Sequence, residues 1–209
     1  DGLGGQVGAF TTRDYTTYFA CVADDYRFHA LDLLADLLLN STYPDDCLER
    51  ERRVILEEAR DLEDNPSRLA EALLKGAVWP GSALGRPLTG TPEALARLTR
   101  EDVIYFVHRN YTPDRIVVVA AGNIDHSDFV AQVRDCFWRM IGASRPLPPQ
   151  SPVFRKAQVK HHGGSQRAHF CVGLPAYSFA HPRRYALHLL NRILGGALSS
   201  RLFRRLRED

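Results

Sequence analysis

Residues 142–154, "GASRPLPPQSPVF", restrict the fold of this chain more than any other stretch, because four prolines fall between Pro146 and Pro152. A proline ring fixes φ and removes a backbone donor, so neither a helix interior nor a central strand runs through such a segment. Residues 144–153 therefore read as an extended, semi-rigid linker. The linker divides the 209 residues into a larger unit, 1–143, and the start of a second, 154–209. That length holds one large domain or one and a half ordinary ones. The apolar share, 44% of residues, is enough for a core.

The first unit alternates strand and helix signals. Residues 6–11 and 16–23 are β-branched or aromatic in character and flank the polar turn Thr12-Arg13-Asp14, which predicts a strand pair. Leu31, Leu34, Leu37 and Leu38 then recur at helical spacing. Asp45 or Asp46 can cap a second helix, which runs until Asn65-Pro66 interrupts it and another follows over 67–78. "PGSALGRPLTGTP" is rich in breakers and reads as an irregular loop. Thr99 and Asp102 resemble a capping box opening a helix to about Asn110. "RIVVVAAGN" reads as a buried strand and "DHSDFVAQVRDCFWRM" as an amphipathic helix. Beyond the linker, "AHFCVGLPA" reads as a strand, "PRRYALHLLNRILGG" as a helix, and Ser199 or Ser200 caps one more.

Charge and cysteine usage narrow the partners. A net charge of +2 makes no electrostatic case for nucleic acid or an anionic membrane. The longest apolar runs are far too short to span a bilayer. Cys21, Cys47, Cys136 and Cys171 lie far apart with no C-x-x-C pair. Such dispersed thiols favour a reducing compartment, bacterial cytoplasm or organelle matrix, with the periplasm as the alternative. No signal or transit peptide is visible, and the chain opens on "DGLGGQ" without an initiator Met, so that observation says nothing of the gene product.

The acidic stretch "CLERERRVILEEARDLEDNPSR", 47–68, holds the chemistry worth weighing. Glu51 and Glu58 are seven apart, so on a helix they lie within about 20° of one another, two turns apart. Val54, Ile55 and Leu56 between them mark an apolar stripe. A carboxylate bordering such a stripe can serve as a hard oxygen ligand, with the second orienting it or relaying protons. Against this, Arg50, Arg52, Arg53 and Arg60 intermingle with the acids, as on a solvated, ion-paired helix. One acid pair cannot hold zinc, which takes about four ligands. His161-His162 stand beside Gly163-Gly164 and read as a surface loop, and the other six histidines are scattered. No H-x-x-x-H, H-x-x-E-H, G-x-S-x-G or phosphate loop occurs. From the residues alone both readings of the helix stand.

The order of segments carries a resemblance. "GGQVGAFTTRDYTTYFACV" is similar to the GG-x-x-N-A-x-T-x-x-x-x-T-x-Y segment of the M16 metallopeptidases, which include mitochondrial processing peptidase and insulin-degrading enzyme. "ERERRVILEEARDLEDNP" resembles their E-R-E-R-x-V-I-L-x-E helix. "LGRPLTGTPEALARLTREDVIYFVHRNYTPDRIVVVAAGNIDH" resembles the segment that follows, and "GLPAYSFAHPRRYALHLLNRILGGALSSRLFRRLRED" the start of their second homologous half. The likeness spans nearly the whole chain in the right order.

The resemblance implies an α+β sandwich, helices packed on a mixed or antiparallel sheet, followed by the start of a second homologous domain. It implies a zinc endopeptidase acting on extended or unfolded peptides and presequences. In the family an H-x-x-E-H helix supplies two His ligands and the glutamate that activates water, and a downstream glutamate is the third protein ligand. Carried over motif to motif, that ligand is Glu58, with Glu51 the second acid that supports catalysis. Gly8, Ala9 and Phe10 become the strand edge onto which substrate adds. The H-x-x-E-H segment is expected upstream of residue 1, and the family's substrate-gripping Arg/Tyr motif beyond Asp209, so the chain alone is expected to be inactive. A homodimer, or a heterodimer with another M16 subunit, is implied as well. Gly8 stands where the family has Asn, which removes a side-chain amide. That departure favours a second reading, a non-catalytic binding or scaffold subunit paired with an active partner.

Overall fold

Strand β1 (Gln6–Thr11) and strand β2 (Thr16–Cys21) pair antiparallel, with Gly8 opposite Phe19 and Ala9 opposite Tyr18. The computed structural model to which they belong describes residues 2, 4–143, 152–164 and 167–207. Thr12 closes the hairpin turn. Its hydroxyl accepts from the amides of Asp14 and Tyr15, and its own amide donates to the Tyr15 carbonyl at 2.8 Å. Strand alternation sends Val7, Ala9, Tyr18 and Ala20 to one face and Gly8, Phe10 and Phe19 to the other.

The Tyr18 face meets helices. Helix α1 (Arg27–Leu39) packs on β2 and buries Leu31 and Ala35. Helix α2 (Asp45–Asp64) follows, and Asn65 then caps helix α3 (Pro66–Val78), accepting from the Arg68 amide at 3.1 Å with Pro66 in the first helical position. Asp45 and Asp46 do not cap α2. Pro44 holds the cap position without a side-chain bond, and the two acids sit in the first turn, where they complement the helix dipole.

The breaker-rich loop contains one short 3₁₀ turn, Ala83–Gly85, which the hairpin holds in place: the Arg13 guanidinium donates to the Arg86 carbonyl at 2.8 Å and the Ala83 carbonyl at 3.4 Å. Helix α4 (Pro92–Arg97), capped by Thr91, was not expected from the sequence. Thr99 and Asp102 do form a capping box, and it opens helix α5 (Arg100–Asn110). Asp125 caps helix α6 (His126–Phe137), which packs against α1. The hydroxyls of Tyr18 and Tyr111 meet at 3.0 Å and fasten β2 to the end of α5.

The chain groups into two units, Asp1–His169 and Phe170–Asp209. The second holds helix α7 (Arg184–Gly195) and helix α8 (Arg201–Arg207), the latter capped by Ser200, whose hydroxyl accepts from the Phe203 amide at 3.3 Å. Of the proline-rich stretch, 144–151 lies outside the described residues.

Two expected strands are corrected. Residues 116–120 and 168–176 belong to no ladder, and β1 and β2 make the whole sheet among the described residues. The backbone at Ile116 is extended, and Val117 and Val119 are 85% and 81% exposed on either side of the more covered Val118. Composition and alternation suit a strand here, but a strand exists only through hydrogen bonds to a neighbour. Between β2 and 116–119 lies a cavity of about 740 Å³, floored by Leu31, Leu34 and Phe106. No helix among the described residues is long and apolar enough to cross a membrane.

Candidate metal centre and substrate edge

Helix α2 presents a half-buried stripe of Leu48, Arg52, Ile55, Leu56, Ala59 and Leu62, and it packs on α3 and α4. At 100° per residue Glu51 and Glu58 lie about 75–95° to one side of the stripe's midline. Glu49 and Glu63 flank the other side, and Glu57 lies opposite. Both glutamates therefore border the packed face together, with Val54, 43% exposed, between them.

The basic residues do not neutralise this border. Arg50 pairs with Asp46 at 3.5 Å, in a bridge open to solvent. Arg52 turns its fork to the Glu49 carboxylate, 3.0 Å at the nearest, and to the Leu98 carbonyl at 2.8 Å. Arg53 donates to the Glu49 carbonyl. Glu51 and Glu58 are exposed and hold no hydrogen bond or ion pair among the described residues. Glu57, Asp61 and Glu63 are equally unpaired among the described residues, and Glu63 lies as close to the stripe on its other side, so what sets Glu51 and Glu58 apart is that they share one border without a partner. Seven residues of helix separate Glu51 and Glu58 by about 10 Å along the axis.

An exposed, unpartnered carboxylate suits a metal as one hard oxygen donor, and Glu58 meets that description. Among the described residues no three His, Cys, Asp or Glu side chains stand together to enclose an ion. His161 and His162 are exposed and belong to no such group.

Gly8, Ala9 and Phe10 lie on β1, whose outer edge has no partner strand among the described residues. Gly8 is not open space. A Cβ built there would stand 2.7 Å from Cζ of Phe19, its cross-strand neighbour, so the ring folds over the glycine and fills the place of a side chain. Phe10 tilts against Phe19 at 6.4 Å between centroids. β1 rests on β2 while α2 rests on α3 and α4, so the two parts of the expected site are carried by different neighbours.

The sequence reading missed the anchoring of α2, having placed Arg52 among solvent-exposed arginines. Its position in the 48–52–55–56–59–62 stripe was the available signal. Arg52 keeps only 16% of its side chain exposed. Arg100 was missed too. It donates from Nε to the Tyr43 carbonyl at 2.9 Å and from Nη2 to the Thr42 carbonyl at 2.8 Å. Tyr43, just before α2, has φ 47°, the left-handed conformation that costs a bulky residue about 1–2 kcal/mol.

Comparison with known proteins decides the family. Residues 97–209 match the model described as Peptidase M16 inactive domain, and residues 1–92 match Insulinase (Peptidase family M16). The chain belongs to the M16 peptidase family. Among M16 relatives it is 38% identical over 209 residues to "Uncharacterized zinc protease YmxG" of Bacillus subtilis, covering all of this chain and 51% of the relative. It is 31% identical over 205 residues to the mitochondrial-processing peptidase subunit beta of Dictyostelium discoideum, covering 93% of this chain and 43% of that one. The fold matches the crystal structure titled peptidase M16 inactive domain from Pseudomonas fluorescens with a TM-score of 0.84 at 22% identity, over 100% of this chain and 52% of that one. It matches a protease from Helicobacter pylori with a TM-score of 0.80 at 21% identity, over 98% and 51%. The chain thus spans about half the length of the curated relatives it matches. The expected α+β M16 fold stands, with the two unformed strands as its corrections.

Proposed function

We propose that this chain is part of a zinc-dependent endopeptidase that cleaves extended, unfolded peptides, with Glu58 as a metal ligand and Glu51 as the second acid supporting catalysis. The reading is carried by one observation: these two carboxylates share one border of the packed α2 face without a partner among the described residues. A bound zinc ion supplies Lewis acidity for peptide hydrolysis. Glu58 offers it one oxygen, and two His ligands come from outside this chain. Glu51, two turns earlier, orients polar groups or moves protons at that centre from a distance. The free edge of β1 at Gly8, Ala9 and Phe10 receives substrate as an added strand, which admits extended chains and rejects folded ones. In this reading the proline-rich sequence 144–153 is the linker to a second homologous domain, while the compact units divide later, after His169.

Names of relatives, zinc proteases and a processing-peptidase subunit, support this reading and also support assembly with a second M16 subunit, as a homodimer or heterodimer. The free thiols of Cys21, Cys47 and Cys171, all exposed, favour a reducing compartment. The Phe19 ring over Gly8 gives the alternative, a non-catalytic paired subunit, its specific support, since the usual amide is replaced by an aromatic face.

The test is zinc content of the purified gene product by elemental analysis. Glu58→Gln should lose most of the metal, while Glu57→Gln, on the opposite side of the helix, should keep it. Equal zinc in Glu58→Gln and wild type would remove the ligand assignment. A gene product that binds no zinc would establish the alternative.

A further inference from the structure

We propose that the cavity beside β2 is a strand slot: an extended, apolar segment of the same polypeptide, from outside residues 1–209, lies in it and joins β2 and residues 116–119 into one sheet. The inference is independent of the metal reading and holds whether or not Glu58 binds zinc.

Both walls of the cavity are unfinished strand edges. β2 spends one edge on β1, and its other edge has no partner among the described residues. Ile116, Val117, Val118 and Val119 line the second wall. The backbone at Ile116 is extended, and residues 116–119 make no backbone–backbone hydrogen bond among the described residues. Amides and carbonyls need partners once they leave water, and a strand offers them along both of its sides.

The space between the walls suits an apolar chain. Leu31, Leu34 and Leu38 of α1, Phe106 of α5 and Phe137 of α6 line it, as helices cover the face of a sheet. Val117 and Val119 are 85% and 81% exposed, so the opposite face is apolar as well. A strand covered on both faces reads as a near-continuous apolar run rather than an alternating one. The occupant is therefore a run of about 4–6 aliphatic or aromatic residues, an ordinary strand length.

The walls are also tied. The hydroxyls of Tyr18 and Tyr111 meet at 3.0 Å, and Arg115 donates to the Asn110 side chain at 2.9 Å, so the chain leading into 116–119 is fastened to β2 and to the end of α5. A slot with tied walls is preorganised, which lowers the cost of filling it. This chain covers 51% and 48% of two zinc-protease relatives, so about half of such a polypeptide lies outside the matched stretch. A tethered strand meets the slot at an effective concentration on the order of millimolar, an advantage no free peptide or second chain has. The peptide substrate is assigned to the other edge, at β1, and does not compete for it.

The experiment uses the full-length gene product and two readouts. Hydrogen exchange followed by mass spectrometry should find the amides of 116–119 exchanging about a hundredfold or more slower than in an unstructured peptide. A benzophenone photo-crosslinker in place of Val119, or in a second variant in place of Thr17 on the facing wall, should join to one apolar run of the same polypeptide outside residues 1–209. The Thr17 variant provides the measurement if the Val119 variant fails to fold. Exchange at the unstructured rate, or cross-links confined to residues 1–209, would overturn the proposal. Cross-links to a second copy or to another protein, seen as added mass on a denaturing gel, would overturn it too and make the 116–119 edge an interface. A gene product that binds no zinc yet gives the expected exchange and cross-links would set aside the metal reading alone.

Discussion

Gly8 and Phe19 should be energetically coupled, and the size of the coupling follows from their geometry. A Cβ added at Gly8 would stand 2.7 Å from Cζ and 2.9 Å from Cε1 of the Phe19 ring, well inside the 3.5–4.0 Å of a relaxed carbon contact. The ring must rotate away, and a side chain displaced about 30° from its rotamer loses about 0.5–1.5 kcal/mol. Working the other way, replacing a strand glycine by alanine gains roughly 0.5–1 kcal/mol of backbone entropy. With Phe19 present the two effects nearly cancel. With Phe19→Ala the gain stands alone. A double-mutant cycle of wild type, Gly8→Ala, Phe19→Ala and the double variant, followed by urea unfolding, should therefore show a coupling of about 1 kcal/mol. If Gly8→Ala changes stability equally in both backgrounds, within about 0.3 kcal/mol, the account of Gly8 as a covered position is wrong. Gly8→Asn meets the same ring, yet an amide that reaches the backbone of an added substrate strand adds one hydrogen bond. That is about 1 kcal/mol, or about fivefold in KM for an extended peptide.

Other outcomes follow from single contacts. The hydrogen bonds that Thr99 gives Asp102, from its amide first and its hydroxyl second, hold the Asp102 carboxyl below its ordinary value. A depressed folded-state pKa gives stability that is present above about pH 4, the unfolded value, and is lost as pH falls through the folded one. Asp102→Asn should flatten that acid limb in urea midpoints measured downward from about pH 5, and an unchanged limb would remove Asp102 as its source. Burial, helped by the bond with Tyr111, raises the Tyr18 phenol above its usual range. Tyr111→Phe should lower its titration only part of the way, read by phenolate absorbance, because burial is the larger cause. A full return to the ordinary value near 10 would refute that ranking.

Local elements were legible because their causes are local. The hairpin announced itself through Thr12 and the flanking aromatics, α3 through Asn65-Pro66, and α5 through Thr99 and Asp102. α4 escaped because the 6 residues from Pro92 to Arg97 are too few to show a period, although Thr91-Pro92 carried a cap and a first-turn proline. Residues 116–120 and 168–176 have the composition of strands, but composition cannot supply the neighbour that makes a ladder. Within the site, spacing alone put Glu51 and Glu58 on one face. Which arginines were occupied was not legible, since Arg52 and Arg100 bond to carbonyls 46 and 58 residues away in sequence. Backbone acceptors at that range leave no mark in the pattern of side chains.

The cavity beside β2 also bears on the order in which the protein folds. Hairpin and helices are made by contacts close in sequence and can form early, whereas the two walls of the cavity, β2 and residues 116–119, are brought together across about a hundred residues of chain. Val117 and Val119 are exposed on a segment with no ladder partner among the described residues, an apolar edge open to pairing with another chain. The yield of native protein should therefore fall as the concentration of folding chains rises.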